Sequence, residues 1–222
     1  MKNRITILNQ DFRNVNFESD LFNGYKRILT ITDPPYNQNY HYSKYSDNLK
    51  TNEYIDLLSA IKTPCVIIHY PEETINILPQ AFKTECNQVV SWVYNSNTGK
   101  QSRLISWWGC KPDFRKELQP YKNLNDKRIQ KRISEGKTGA KLYDWWEINQ
   151  IKNVSKEKTE HPCQIPIALM ERIIKITAID GDLIFDPFAG SGTTMIAANN
   201  CGFDSVGCDI DEKYCGIVLN RI

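Results

Sequence analysis

The segment that most restricts the fold is a short apolar strand that enters a glycine turn and then a helix. Leu183–Phe185 is the apolar run, and Thr193–Asn200 has a helical pattern. Glycines at such a turn let the backbone approach a ligand closely. Asp209 ends the next apolar run, about 20 residues after the turn, where a carboxylate can accept hydrogen bonds from ribose hydroxyls. The layout predicts a parallel α/β sheet that binds an adenosine-containing cofactor.

The composition of the turn narrows the choice of cofactor. It has two glycines, Gly190 and Gly192, instead of the three that are typical of a dinucleotide site, and it begins with an acid, Asp186. A carboxylate repels a pyrophosphate but attracts the sulfonium and amino groups of S-adenosylmethionine. No Gly-Lys-Ser/Thr follows, which excludes a P-loop. The turn therefore favours S-adenosylmethionine, and a nicotinamide-linked oxidoreductase is the disfavoured alternative.

The rest of the chain predicts a sheet of seven strands. Short apolar runs bounded by turn residues predict strands at Ile5–Leu8, Ile28–Thr32, Cys65–Tyr70, Val89–Tyr94, Leu104–Trp107, Leu183–Phe185 and Ser205–Cys208. Helical spacing is present in Thr51–Ile61 and Ile167–Thr177. Strands that alternate with helices predict a mainly parallel, twisted sheet with helices on both faces. A length of 222 residues suits one such domain with a modest insertion.

Composition excludes several classes of protein. The seven cysteines contain no Cys-x-x-Cys pair and the three histidines are far apart, so we expect neither a disulfide framework nor a metal site. No run has the length of a signal peptide core or a membrane span. We expect a cytoplasmic protein with no membrane partner. The net charge of +2 is too small to identify a partner.

A second motif, near the N-terminus, predicts a site for an amino group. The apolar run that ends at Thr32 continues into Asp33, Pro34, Pro35 and Tyr36. Two successive prolines fix the backbone, and their carbonyls, with the Asp33 side chain, can accept hydrogen bonds from an –NH2 group. Tyr36 offers a ring on which a planar base can stack. Such acceptors favour the pyramidal amine whose lone pair can attack a methyl carbon, and the base would have to leave the DNA stack to reach them.

A polar stretch separates these two motifs. Residues Cys110 to Lys152 lack strand periodicity, and we interpret them as an insertion on the sheet domain that is not part of its core. Phosphate contact is one hypothesis for its basic residues, and a solvated helix face is the alternative. The candidate DNA-binding residues are Lys122, Lys127, Arg128, Lys131 and Arg132.

Together the motifs resemble the amino methyltransferases of DNA. Asp33 to Tyr36 is similar to the catalytic tetrapeptide of that family, and Asp186 to Thr194 to its cofactor loop. Further likeness lies in Glu160 to Arg172, and in Val206 to Asp209 with Tyr214 and Arg221. The resemblance implies a Rossmann-like fold that uses S-adenosylmethionine and acts on double-stranded DNA. It also allows a homodimer and a partner restriction nuclease.

The order of the motifs resembles the circularly permuted beta group. It implies a catalytic half at residues 1–109, an inserted target-recognition region at 110–152 and a cofactor-binding half at 153–222. The resemblance also implies that Asp11 meets the adenine of the cofactor. The cofactor-binding residues expected on these grounds are Asp11, Asp186, Pro187, Phe188, Ala189, Gly190, Ser191, Gly192, Thr193 and Asp209.

The identity of the methylated base stays open. An aspartate before Pro-Pro-Tyr favours adenine N6, whereas cytosine N4, RNA and a protein glutamine amide are alternatives. A cytosine ring-carbon enzyme is disfavoured, because Cys163 precedes the cofactor loop, whereas the nucleophile of those enzymes follows it. A DNA-binding protein without activity is a further alternative, which the intact Asp33 and Tyr36 argue against.

Overall fold

The computed structural model describes residues 3–96 and 99–222, so residues 1–2 and 97–98 of the predicted N-terminal half lie outside the described residues. The strands in chain order are β1 (Ile5–Asn9), β2 (Arg27–Thr32), β3 (Cys65–His69), β4 (Cys86–Val93), β5 (Ser102–Trp108), β6 (Leu118–Gln119), β7 (Ala140–Lys141), β8 (Trp145–Glu147), β9 (Asp182–Asp186) and β10 (Ser205–Asp209). The helices are α1 (Thr51–Ser59), α2 (Pro71–Asn76), α3 (Leu78–Ala81), α4 (Lys127–Ser134), α5 (Ile167–Thr177), α6 (Thr193–Asn200) and α7 (Glu212–Leu219).

Eight strands form one mixed sheet in the order β1-β10-β9-β2-β3-β5-β4-β8. All neighbouring pairs are parallel except the two that involve β5. The predicted mainly parallel α/β fold is therefore confirmed, and all seven predicted strands are present with ends shifted by up to three residues. The predicted number of seven is wrong by one, because β8 of the insertion pairs with β4.

Both faces of the sheet are covered, which explains the unbroken apolar runs. In β3, Val66 and Ile68 belong to one buried cluster, while Cys65 and Ile67 belong to the other. Helices α5 and α6 pack on the first face, and α1 and α3 on the second. Because successive side chains of a strand point to opposite faces, a strand covered on both sides needs apolar residues at every position.

The insertion has two different parts. Helix α4 has no buried residue, and β6 and β7 form a separate two-stranded sheet. However, Leu142 and Trp146 are 1% and 2% exposed and belong to the main core, where Cys110 also packs. The expectation that residues Cys110 to Lys152 lie outside the core is therefore wrong at these positions. The tryptophan pair of β8 is too short a segment to show strand periodicity.

The sheet topology brings the two sequence motifs together. Strand β2 lies beside β9 in parallel, with Thr30 opposite Phe185, so the carboxyl ends of both strands are at the same edge. Ligands of open α/β sheets bind outside these ends. Within the described residues, no helix has the length and apolar character that a membrane span requires.

Candidate active site

The loops that follow β2 and β9 line one cavity of about 280 Å³. The ends of the two strands are joined by the Thr32 hydroxyl, which donates a hydrogen bond to Oδ1 of Asp186 at 2.6 Å. Tyr36 and Gly190, 154 residues apart in the chain, line the same space. The predicted residues in this lining are Asp11, Asp33, Pro34, Pro35, Tyr36, Pro187, Phe188, Gly190 and Asp209.

The other residues of the cofactor loop lie deeper. Asp186, Ala189, Ser191 and Thr193 line a small adjoining cavity of about 30 Å³ that Asp33 and Gly190 also border. Gly192 is in neither lining; it precedes α6 with a φ of 75°, and a Cβ there would lie 2.8 Å from Cγ2 of Val218. Gly192 therefore serves the turn and its packing.

The Asp33 carboxylate sits where an incoming amine could be held. It accepts a hydrogen bond from the Tyr36 hydroxyl within the same loop. Burial raises the pKa of Asp33 to about 6, against the pull of the Arg103 charge and the Tyr36 hydrogen bond. A carboxyl group with this pKa is largely ionised at neutral pH. It can therefore accept hydrogen bonds and, later, a proton.

The two prolyl carbonyls are not equivalent. The Tyr54 hydroxyl donates a hydrogen bond to the Pro35 carbonyl at 2.6 Å and lies 2.6 Å from Nε2 of His69. The Pro35 carbonyl therefore already has one donor, and only its second lone pair is left for a substrate. That both carbonyls accept hydrogen bonds from a substrate stays a prediction.

The base-side wall of the cavity contains aromatic residues and an arginine that sequence reasoning missed. The Tyr36 ring packs against His69 at 4.5 Å and Tyr70 at 4.9 Å between ring centroids, and the Arg103 guanidinium carbon lies 5.0 Å from the Tyr36 centroid. Arg103 is the second residue of β5 and the only charged residue in that strand. That pattern was the available signal. The local sequence around Arg103 does not show that this side chain lies beside the Asp33–Tyr36 loop.

The cofactor side of the cavity is acidic. Burial raises the pKa of Asp186 to about 6 and also raises that of Asp209, while Arg13 lowers the pKa of Asp11. Asp209 accepts hydrogen bonds from the Gly190 and Asp211 backbone N–H groups at 2.9 and 2.8 Å. Buried carboxylates of raised pKa favour a cationic ligand, since a nearby positive charge offsets their desolvation.

Gly190 has a left-handed backbone conformation and a close neighbour, and both exclude a larger residue. Its φ is 51°, and a Cβ at this position would lie 2.8 Å from Nε2 of His161. The ring of Phe188 packs on Phe12 at 5.1 Å beside it and presents an apolar surface to the cavity. An acidic wall, an apolar ring and a bare backbone together suit the sulfonium, adenine and amino acid parts of S-adenosylmethionine.

A loop of residues 37–49 forms part of the cavity wall. The buried Asp47 carboxylate accepts backbone hydrogen bonds from Asn37, Gln38 and Tyr40 at 2.7, 3.0 and 3.0 Å. This arrangement brings Tyr42 and Tyr45 into the lining. The described residues contain no group of three or more His, Cys, Asp or Glu side chains that could hold a metal ion.

The five candidate DNA-binding residues are not in the cavity lining. Four of them lie on the exposed helix α4, which Asp126 caps by accepting from the Arg128 N–H at 2.8 Å. The fifth, Lys122, lies with its Nζ 4.3 Å from the Trp145 ring centroid and 5.2 Å from that of Tyr143. Helix α4 and the surface around Lys122, Tyr143 and Trp145 are thus two places where basic residues lie outside the cavity lining.

Comparison with known proteins identifies the family. The family model described as DNA methylase, for N6 and N4 methyltransferases, matches residues 28–220. The chain belongs to this family. The expectation drawn from the two motifs is thereby confirmed. Among curated relatives, the Type II methyltransferase M.HpaI of Haemophilus parainfluenzae is 28% identical over 211 residues. That match covers 87% of this chain and 67% of M.HpaI.

Solved structures share the fold of this DNA methylase. The PvuII DNA methyltransferase (cytosine-N4-specific) has a TM-score of 0.68 at 15% identity and matches 100% of this chain and 89% of its own. The M1.HpyAVI–SAM complex has a TM-score of 0.61 at 23% identity and matches 98% and 100%. This chain spans between 29% and 40% of the length of three further relatives.

Proposed function

We propose that this DNA methylase transfers a methyl group from S-adenosylmethionine to the exocyclic N6 amine of adenine in double-stranded DNA. One observation carries the proposal: the Asp33–Tyr36 loop and the acidic glycine loop line one cavity, joined by the Thr32–Asp186 hydrogen bond. Adenine is the proposed target because an aspartate precedes Pro-Pro-Tyr. Family membership extends to cytosine N4 as the alternative.

S-adenosylmethionine supplies an electrophilic methyl group when it is bound. In our proposal Asp186, Asp209 and Asp11 bind its polar groups, Phe188 contacts its adenine, and the Gly190 backbone leaves room for it. The rest of the predicted set, Pro187, Ala189, Ser191, Gly192 and Thr193, holds this loop in shape. Asp33 and the Pro34 carbonyl accept the two amine hydrogens of a flipped-out adenine, with Tyr36 against its ring.

Asp33 is also the proposed proton acceptor. Transfer of the methyl group would place a positive charge on the amine nitrogen. The carboxylate of Asp33 accepts the proton that the methylated nitrogen loses, and it stabilises the charge before that loss. We assign the amine to Oδ1 of Asp33, the oxygen that accepts the hydrogen bond from the Tyr36 hydroxyl, so this hydroxyl leaves as the amine binds. This exchange is the first step that we assign to the loop.

Residues 110–152 are proposed as the target-recognition region, between a catalytic half at 1–109 and a cofactor half at 153–222. Lys122, Lys127, Arg128, Lys131 and Arg132 would contact phosphates. This region is short, about 40 residues, so a second subunit is one way to enlarge the contact with DNA. A homodimer, a partner restriction nuclease and a cytoplasmic location stay predictions.

The test is to incubate the protein with methyl-labelled S-adenosylmethionine and unmethylated DNA, and to identify the labelled nucleoside after digestion. Label in N6-methyladenosine supports the proposal, and label in N4-methylcytosine contradicts the choice of adenine. Asp33→Asn should lower the rate about 10²–10³-fold, because the neutral amide is a weaker acceptor and no base, while cofactor affinity stays within a few-fold. Asp180→Asn, at an exposed aspartate, is the matched control.

The same substitution should also stabilise the protein. The folded pKa of Asp33, about 6, lies above its usual 3.8, so folding disfavours the carboxylate and the penalty grows as pH rises between these values. At pH 7 Asp33→Asn should raise the free energy of unfolding by about 1 kcal/mol, because part of the penalty is relieved by solvent at the cavity mouth. At pH 3, below both pKa values, the gain should vanish. An equal gain at both pH values would argue against a penalised carboxylate.

A further inference from the structure

Arg103 is a cation within the proposed base-binding wall that neither sequence motif contains. Its guanidinium carbon lies 5.0 Å from the ring centroid of Tyr36, 5.6 Å from Tyr70, 5.2 Å from Trp92 and 5.8 Å from Tyr94. The Nε atom is buried, and among the described residues it has no hydrogen-bond partner. Arg103 lines the same cavity as Asp33.

Such an arginine is unfavourable to bury. Removing a guanidinium from water destabilises the folded protein unless nearby groups compensate its charge. Within the described residues, Arg103 is absent from the ion pairs closer than 4.0 Å. The faces of aromatic rings attract a cation, so they fix the side chain in place without neutralising its charge. The positive charge therefore acts over a longer distance, on the anion that shares its cavity.

That anion is Asp33. Desolvation and the neighbouring Asp186 carboxylate favour its protonated form, whereas Arg103 and the Tyr36 hydroxyl favour the carboxylate. The Tyr36 hydrogen bond is lost when the target amine replaces it. Of the two groups that favour the ionised form of Asp33, Arg103 is then the one that remains. The other titratable groups that sense the Asp33 charge are Tyr42, Tyr54, Tyr94 and Cys163, and burial raises the pKa of each, which keeps them neutral near pH 7.

We infer that Arg103 is a positioning residue for the proposed methyl transfer: held among four aromatic rings, it keeps Asp33 ionised while the Tyr36 hydroxyl gives way to the target amine. The inference rests on the proposed function for its catalytic meaning. The electrostatic coupling between Arg103 and Asp33 does not depend on the proposed function, because it exists in the protein without substrate. That difference allows two separate readouts.

The first readout is the titration of the Asp33 carboxyl carbon by ¹³C NMR in the cofactor-free protein, with Asp33→Asn to identify the signal. Arg103→Met and Arg103→Gln, two neutral replacements of different polarity, should raise the Asp33 midpoint by about one pH unit or more. Arg103→Lys should bring the midpoint most of the way back because it returns the charge. Arg13→Met is the matched control, since it removes another cavity arginine whose charge is engaged by Asp11. An Asp33 midpoint that moves equally with Arg13→Met, or not at all, would overturn the inference.

The second readout is the pH dependence of single-turnover methyl transfer. In the neutral variants the acid limb should move to higher pH. The rate on that limb should fall about tenfold for each pH unit that the limb moves, and it should recover towards pH 8.5. A purely structural role predicts a loss that is the same at every pH. If the wild-type chain transfers no methyl group but the Asp33 midpoint still depends on Arg103, the proposed function fails and the coupling stands.

Discussion

The cofactor loop and the insertion differ in how much of each region is buried. Between Asp186 and Thr194 every residue is buried except the half-buried Phe188. In the insertion, α4 has no buried side chain, and only a few residues such as Leu142 and Trp146 reach the core. In our proposal the first region binds the cofactor, which requires fixed positions. The second region is proposed to contact DNA, and it needs only a few buried anchors while its surface is free to vary.

If this contrast is correct, the anchor of the insertion should carry a large share of its stability. Trp146 is 2% exposed, donates from its indole N–H to the Tyr143 carbonyl at 2.9 Å and meets the Trp107 ring at 6.3 Å. Trp146→Ala should lower the free energy of unfolding by about 3–5 kcal/mol, because it removes a large side chain and leaves a cavity. Urea unfolding measures this loss.

The adjacent tryptophan is the matched control. Trp145 is 42% exposed, so Trp145→Ala should change the free energy of unfolding by no more than about 1 kcal/mol. Equal losses from the two tryptophans would remove the distinction between anchor and surface in this region.

The same contrast explains what could be predicted from sequence. The helix Ile167–Thr177 has the predicted bounds because its apolar residues recur at helical spacing. The helix Thr193–Asn200 also has the predicted bounds, because it begins directly after the glycine turn. The two loops of the site could be predicted because each carries a distinctive local motif, Asp33 to Tyr36 in one and Asp186 to Thr194 in the other. By contrast, β8 has three residues and its pairing with β4 comes from contacts over 50 residues away, which no local pattern encodes.

Some site residues were missed by sequence reasoning for the same reason. Arg103, His69 and Tyr70 come from strands or strand ends whose local sequence serves the core. Arg103 and Tyr70 line the cavity, and His69 packs against Tyr36. These positions depend on the neighbouring order of β2, β3 and β5 in the sheet. Local patterns predict that a parallel sheet forms, but the identity of the strand beside the catalytic loop follows only from the folded topology.

The second prediction tests the constraint on the cofactor loop. Gly190→Ala places a Cβ against His161 in a left-handed backbone conformation, which costs about 1–2 kcal/mol before any effect on the ligand. We expect affinity for S-adenosylmethionine to fall at least about tenfold, which corresponds to about 1.4 kcal/mol, measured by calorimetric titration.

Gly202→Ala separates backbone strain from the loss of the binding surface. Gly202 has a φ of 86° and open space around its Cβ position. This variant should lose a similar amount of stability to strain but retain cofactor affinity. The proposed close approach at Gly190 would be wrong if both variants bound the cofactor equally well.

The smallest expected effect concerns the surface of the insertion. Lys131→Ala removes one exposed cation from α4, so stability should change by less than about 0.5 kcal/mol. If Lys131 contacts a phosphate, DNA affinity should weaken equally for all sequences, and the slope of log affinity against log salt should fall by about 1. Lys83→Ala, at an exposed lysine outside the insertion, should leave the slope unchanged. Identical slopes for the two variants would assign α4 to a solvated face and move DNA contact to the surface around Lys122 and Trp145.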